Sequence, residues 1–262
     1  MTLLQALVLG VIQGITEFLP VSSSGHLAIA QLLIPSFSQP GVVFDTALHL
    51  GTVVAVLLLE WRRLVEAVSG KYFWRLMFQL GVGTAATVAV ALPLRHRAEA
   101  AFAMPLVVAA GFAFTALVLL AGRGRHGNRE AGTTPWTSVV VVGLVQGVAV
   151  FPGVSRSGST IVAGLASRLD RRWAADFSFL LSVPAILGAA LLEGWSNRAE
   201  LAAGASSLLL PCLVGALAAA VVGAAALVAV RRLVLGGRLH LFAYYLLPLA
   251  AAVAALTFAG VL

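Results

Sequence analysis

The sequence predicts an all-α integral membrane protein with an inverted-topology repeat, about six transmembrane helices and two re-entrant helical hairpins. Three observations carry this. First, 60% of the 262 residues are hydrophobic, 10% are charged, and the mean hydropathy is +1.00; a soluble domain carries about 25% charged residues. Second, apolar runs of about 20 residues, enough to cross a bilayer, recur along the chain. Third, one motif occurs twice. Gly10–His26 reads GVIQGITEFLPVSSSGH and Gly143–Ser159 reads GLVQGVAVFPGVSRSGS; at an offset of 133 residues, 8 of 17 positions are identical.

Taken in order, residues 1–34 are interrupted by Pro20 and a Ser-Ser-Ser-Gly run. The second arm, 24–34, is long enough for only about 16 Å of helix, half of a ~30 Å hydrocarbon core. This region is expected to enter the membrane and return. Spanning segments follow at 41–60, 77–94 and 102–122. Residues 135–170 repeat the hairpin pattern, broken by Pro152-Gly153 and Ser-Arg-Ser-Gly-Ser-Thr. Segments 174–194, 207–230 and 240–261 complete the chain. Irregular backbone at membrane depth must be buried in protein or line a wet cavity, so the two tips are expected to face each other. Trp61, Trp74, Trp136, Trp173 and Trp195 flank apolar segments, as interfacial anchors do.

Charge sets the orientation. Thirteen of the seventeen Lys and Arg residues fall in loops 61–75, 123–134, 168–173 and 231–239, against Arg95, Arg97 and Arg198 on the other side. The first set is assigned to the cytoplasm. Full crossing by the hairpin arms would keep this parity, so charge does not separate six crossings from ten. The offset also maps 41–60 onto 174–193. Each repeat then holds three crossings, so the second is upside down. The predicted units are 1–134, with hairpin 1–34, and 135–262, with hairpin 135–170, joined in one membrane domain. Such repeats place binding sites at their interface.

Composition excludes other classes. The formal charge of +7 is not a nucleic-acid signature, because the basic residues sit in short loops between apolar segments. Cys212 stands alone, so no internal disulfide forms. The first residues lack a basic n-region, and no cleavable signal peptide is expected.

The two copies differ in their polar residues. Copy one carries Glu17 and His26; copy two carries Arg156 opposite Ser23. A carboxylate in a membrane segment is costly, so Glu17 is either a partner for a buried His or Arg, a general base, or a metal ligand. Gln13 lies one turn before it on the same helix face, and the two offer oxygens to a hard divalent cation. His26 follows the serine tip, as a capping residue or as a base for a serine. Ser22, Ser23 and Ser24 stand at the start of a half-helix whose free N–H groups suit an anion. Ser23 is the favoured nucleophile, because it lies opposite Arg156. A guanidinium at a hairpin tip needs an anionic partner and forks onto phosphate; Arg156 either does so or pairs with Glu17 alone. Ser155, Ser157, Ser159 and Thr160 supply further donors. Asp45 and His49 are weaker candidates for supporting roles, and Asp176 for an ion pair with nearby arginines. No P-loop, Rossmann glycine pattern, Cys/His cluster or GxSxG elbow is present.

Glu17 to His26 (EFLPVSSSGH) and Pro152 to Thr160 (PGVSRSGST) resemble the two signature motifs of the undecaprenyl-diphosphate phosphatases of the bacitracin-resistance BacA/UppP type. Phe177 to Pro184 is also similar, and the likeness covers nearly the whole chain. The resemblance implies a bacterial plasma (inner) membrane phosphatase that cleaves a polyprenyl diphosphate to the monophosphate carrier lipid and inorganic phosphate. It implies an active site open to the outer face and a divalent cation, Mg²⁺ or Ca²⁺. It carries catalytic roles to Glu17, Ser23, His26 and Arg156, and phosphate binding to Thr160, with Ser22 and Ser155 in support. Many members have an acid where this chain has Gln13, which weakens the expected metal site. The expected partners are the lipid substrate and the membrane, with no nucleic acid; a homodimer is compatible with this reading. Ser23 attack assisted by His26 and attack by metal-bound water remain two routes. The rival class is a transporter or flippase of an anionic lipid, which needs no acid/base pair beside its anion site.

Overall fold

The computed structural model describes residues 1–34, 42–59, 72–196 and 198–262, without the side chains of 42 and 199–207. Trp61, Arg62, Arg63 and Lys71, and the ends of the predicted segment 41–60, lie outside the described residues. The described chain is helical, with an isolated β-bridge between Arg129 and Leu169. In order, the helices are α1 (Leu3–Phe18), α2 (Ser23–Leu33), α3 (Val42–Leu59), α4 (Phe73–Ala101), α5 (Pro105–Ala121), α6 (Trp136–Val148), α7 (Arg156–Ala166), α8 (Arg171–Ser196), α9 (Arg198–Leu235) and α10 (Ala243–Phe258). A 3₁₀ turn, Leu239–Phe242, leads into α10.

Local chemistry sets the ends of the hairpin helices. Thr2 and Gln5 form a capping box at the start of α1, with Gln5 N donating to Thr2 Oγ1 at 3.2 Å and Thr2 N to Gln5 Oε1 at 2.8 Å. Pro20 then forces Leu19 into extended backbone, ψ 143°, and ends α1. The short arms α2 and α7 have 11 residues each, about 16 Å of rise, or half a hydrocarbon core. Four described helices are long and apolar enough to cross a membrane: Phe73–Ala101, Arg171–Ser196, Leu208–Leu235 and Leu239–Phe258. The predicted spans 41–60 and 102–122 appear as the shorter apolar helices α3 and α5, of 18 and 17 residues. Leu58, Leu191 and Leu217 point outward with two thirds or more of their surface free, as expected for side chains that face lipid tails.

The sequence halves interlock. The long arm of hairpin one, α1, packs on α9, and the long arm of hairpin two, α6, packs on α4. Both contacts use glycine in the same way. A Cβ on Gly10 would strike Gly215 O and lie 3.0 Å from Ala218 Cβ; one on Gly143 would strike Gly83 O and lie 2.9 Å from Ala86 Cβ. One turn on, Gly14 faces Ala219 and Gly223, and Gly147 faces Thr87 and Val90. Close backbone approach through small residues is how helices associate in lipid, where no hydrophobic drive separates protein from solvent.

The tips of the hairpins meet inside this frame. A Cβ on Gly25 would lie 2.8 Å from Gly153 N, and one on Gly158 would lie 3.0 Å from Pro20 Cβ. Ser157 Oγ donates to Leu19 O at 3.2 Å across the same seam. Phe18 packs edge-on against Phe179 of α8, with ring centroids 6.0 Å apart. Any side chain at Gly25 or Gly158 would push the tips apart, which is why both copies carry glycine there.

Candidate active site at the hairpin junction

The two short arms begin at the junction, so two helix N-termini converge on it. Ser22 caps α2 by accepting from Gly25 N at 3.4 Å, and Ser155 caps α7 by accepting from Gly158 N at 3.1 Å. Ser22 Oγ lies 3.3 Å from Ser24 Oγ, and Ser155 Oγ lies 3.3 Å from Ser157 Oγ. The first-turn amides of Ser23, Ser24, Arg156 and Ser157 have no carbonyl partner within their own helices, an arrangement that suits an anion.

Glu17 is the hub. It is buried, at 5% exposure, and its carboxylate touches four side chains. Oε1 pairs with Arg156 Nη2 from the other hairpin. Oε2 accepts from Ser23 Oγ at 2.6 Å and from Gln13 Nε2 at 2.9 Å, and lies 3.4 Å from His49 Nδ1. Gln13 Nε2 also lies 2.9 Å from His49 Nδ1. Removing either partner of the Glu17–Arg156 pair would strand a buried charge, at a cost of about 3–5 kcal/mol.

The structure brings Gln13, Glu17, Ser23 and Arg156 together. His26 stands apart from Ser23 Oγ: its Nδ1 is 2.7 Å from Ser22 O and its Nε2 is 2.8 Å from Tyr245 OH. Thr160 bonds within α7 and to α8, with Oγ1 donating to Arg156 O at 2.7 Å and meeting Ser178 Oγ at 2.5 Å. Ser159 is buried, and its Oγ has no hydrogen-bond partner among the described residues. Of the weaker candidates, His49 joins the hub, whereas Asp45 accepts from Gln31 at 2.8 Å and Asp176 from Arg231 at 2.7 Å.

A family model described as Bacitracin resistance protein BacA matches residues 6–252. The chain belongs to the BacA family. A relative from Carboxydothermus hydrogenoformans, named undecaprenyl-diphosphatase, is 38% identical over 257 residues, covering 98% of each chain. Relatives of the same name from Desulfosudis oleivorans and Moorella thermoacetica are 40% and 39% identical. They cover 92% and 97% of this chain, and 94% and 98% of their own.

Three residues of this BacA-family chain escape a reading of its motifs. Thr115, on α5, donates Oγ1 to Gly153 O at 2.8 Å and accepts from Ser155 N at 2.9 Å, which pins tip two. Phe112, on the same helix, packs against Gly25 and lies 5.1 Å from the His26 ring. Tyr245, on α10, stacks on His26 and bonds it. Thr and Phe in an apolar run carry no chemical signature, and Tyr245 sits 219 residues from its partner.

The residues present would suit a divalent ion that draws only one or two ligands from the protein, not a cage made by protein alone. Among the described residues no three His, Cys, Asp or Glu cluster as metal ligands. Gln13 Oε1, however, is buried without a partner one turn from Glu17. An ion of the Mg²⁺ type binds through one or two protein oxygens plus substrate phosphate and water.

Proposed function

We infer that this multi-pass membrane protein hydrolyses undecaprenyl diphosphate to the monophosphate carrier lipid and inorganic phosphate. The carrying observation is the junction itself: Ser23 Oγ sits 2.6 Å from the Glu17 carboxylate, which is held by a guanidinium from the opposite hairpin. The name shared by the full-length relatives supplies the substrate. Carriage of an anionic lipid would need the cation but not a serine hydrogen-bonded to a carboxylate.

In this reading the terminal phosphate lies between the α2 and α7 N-termini, and Arg156 exchanges Glu17 Oε1 for phosphate oxygens. Ser23 Oγ attacks the terminal phosphorus while its proton passes to Glu17 Oε2. The bond from phosphorus to the bridging oxygen breaks, and the lipid monophosphate leaves. Water then cleaves the phosphoseryl ester, giving one proton to Ser23 Oγ and releasing phosphate, and Glu17 returns its proton to solvent. The geometry favours Glu17 as the proton acceptor, since both His26 nitrogens are engaged elsewhere. Gln13 and Glu17 would hold a divalent cation, which would neutralise charge on the diphosphate. We assign the site to the outer face of the inner membrane, with the basic loops cytoplasmic, from the charge asymmetry of the loops. The polyprenyl tail then lies in the outer leaflet.

The test uses purified protein in uncharged detergent and undecaprenyl diphosphate labelled at its terminal phosphate. Release of labelled phosphate, with transient label on Ser23 after rapid quenching, is expected. Full turnover by Ser23→Ala would remove the serine route, and no release by the native protein would remove the function.

A further inference from the structure

At the far end of α7 from Arg156, a cleft opens between the α5–α6 connection, the start of α8 and the 3₁₀ turn before α10. Leu165 lines it, nine residues from Arg156, or about 14 Å along the helix. Arg123 and Arg125 stand exposed at its mouth, and Arg171 and His240 form half-buried walls. No Asp or Glu is among its lining residues. Asp170, next to Arg171 in the chain, turns its Oδ1 instead to the amides of Arg172 at 2.8 Å and Trp173 at 3.4 Å.

Two buried polar atoms of this cluster are left unsatisfied. Arg171 Nε and His240 Nδ1 are both buried and lack any hydrogen-bond partner among the described residues. Arg171 is permanently charged, and a buried donor without an acceptor is expensive. Its guanidinium lies against Gly237, where a Cβ would be 3.0 Å from Cζ; Gly237 has φ +67°, so a side chain there is disfavoured twice. The enclosed depth is about 10 Å³, the room of one water or one phosphate oxygen.

We propose that this cleft binds a phosphate-bearing anion, either free inorganic phosphate or the phosphomonoester headgroup of a lipid. One oxygen enters the depth against Arg171 and His240, and the remaining oxygens face Arg123 and Arg125. Guanidinium groups match phosphate oxygens in geometry and charge; three arginines line this cleft with no Asp or Glu among the lining residues, and Arg125, whose Nε donates to Ala121 O at 2.8 Å, keeps its two Nη groups for a ligand. The site is separate from the hairpin junction and does not depend on the activity assigned there.

The test removes the junction's contribution first. Arg156→Ala protein in uncharged detergent is titrated at low salt with inorganic phosphate by calorimetry, and separately with phosphatidate or phosphatidylcholine by native mass spectrometry. One binding event is expected for phosphate, phosphatidate or both, with none for phosphatidylcholine. Arg171→Gln and His240→Ala should each weaken it at least tenfold, and the exposed pair Arg123→Gln/Arg125→Gln severalfold. Binding of phosphatidate alone identifies a lipid headgroup as the source; binding of both admits free phosphate. If neither probe binds the Arg156→Ala protein, or if binding survives Arg171→Gln unchanged, the cleft holds only water and the proposal fails. Should Arg171→Gln not yield a monodisperse protein, the exposed pair decides, and unchanged affinity there overturns the site.

Discussion

Hairpin one caps its short arm with Ser22 on Gly25 N, and hairpin two caps its own with Ser155 on Gly158 N. Both pack their long arms on a foreign helix through paired glycines, Gly10 and Gly14 in one, Gly143 and Gly147 in the other. The frames match, but the contents do not. Opposite Glu17 stands Val150, opposite Ser23 stands Arg156, opposite His26 stands Ser159, and opposite His49 stands Ser182. Gln13 bonds to Glu17 and His49, while its counterpart Gln146 bonds to Thr87 Oγ1 at 3.1 Å and Leu181 O at 3.4 Å. Duplication thus supplied two tips that each open a serine-capped helix N-terminus, and divergence gave the carboxylate to one and the guanidinium to the other.

The turns differ too, for a reason of backbone chemistry. Copy two turns at Gly153, φ +86°, which also lets α5 approach. The equivalent position in copy one is Pro20, whose ring forbids positive φ. The turn moves to Ser22, φ +68°, a conformation that costs a serine about 1–2 kcal/mol. The strained residue is the one whose carbonyl meets His26 Nδ1.

The comparison breaks first at the charged pair. Arg156→Ala and Glu17→Gln should each lower kcat/KM by about a thousandfold, measured as phosphate release. Val150→Ala, at the position opposite Glu17, should leave activity within about threefold. A smaller effect tests the shared frame. Gly10→Ala and Gly143→Ala should lower thermal stability by similar amounts, about 1–3 kcal/mol each, read by unfolding in detergent. A large loss in one and none in the other would show that the frames are not equivalent. Smaller still, Tyr245→Phe removes one hydrogen bond to His26. It should leave kcat/KM within about threefold, because Glu17 and not His26 takes the Ser23 proton, and lower thermal stability by about 0.5–1.5 kcal/mol.

Much of the fold was legible because membrane insertion leaves strong marks. Apolar length gave the spans, and Pro20, Pro152 and the serine runs marked the breaks. The expected short arm 24–34 lies within one residue of α2 at each end. Glu17, Ser23 and Arg156 stood out because a polar group at membrane depth requires a partner. The Glu17–Arg156 pair was one of the readings open to the sequence, but the partners of Ser23 and His26 were not legible. That Ser23 faces Glu17, while His26 faces Tyr245, depends on the rotation of α1 and α2 about their axes. That rotation is set by Gly10, Gly14 and Gly25 against helices far away in sequence. Thr115 was hidden for the same reason: its role exists only once tip two lies on α5.

A double-mutant cycle on Glu17→Gln and Arg156→Ala tests most directly whether the two hairpins act as one site. Phosphate release from undecaprenyl diphosphate is measured for the native protein, both single variants and the double variant. Residues that act as a unit lose function once. The double variant should therefore fall within about tenfold of the worse single variant. If instead the two losses multiply, each tip works independently, and the single site at the hairpin junction is contradicted.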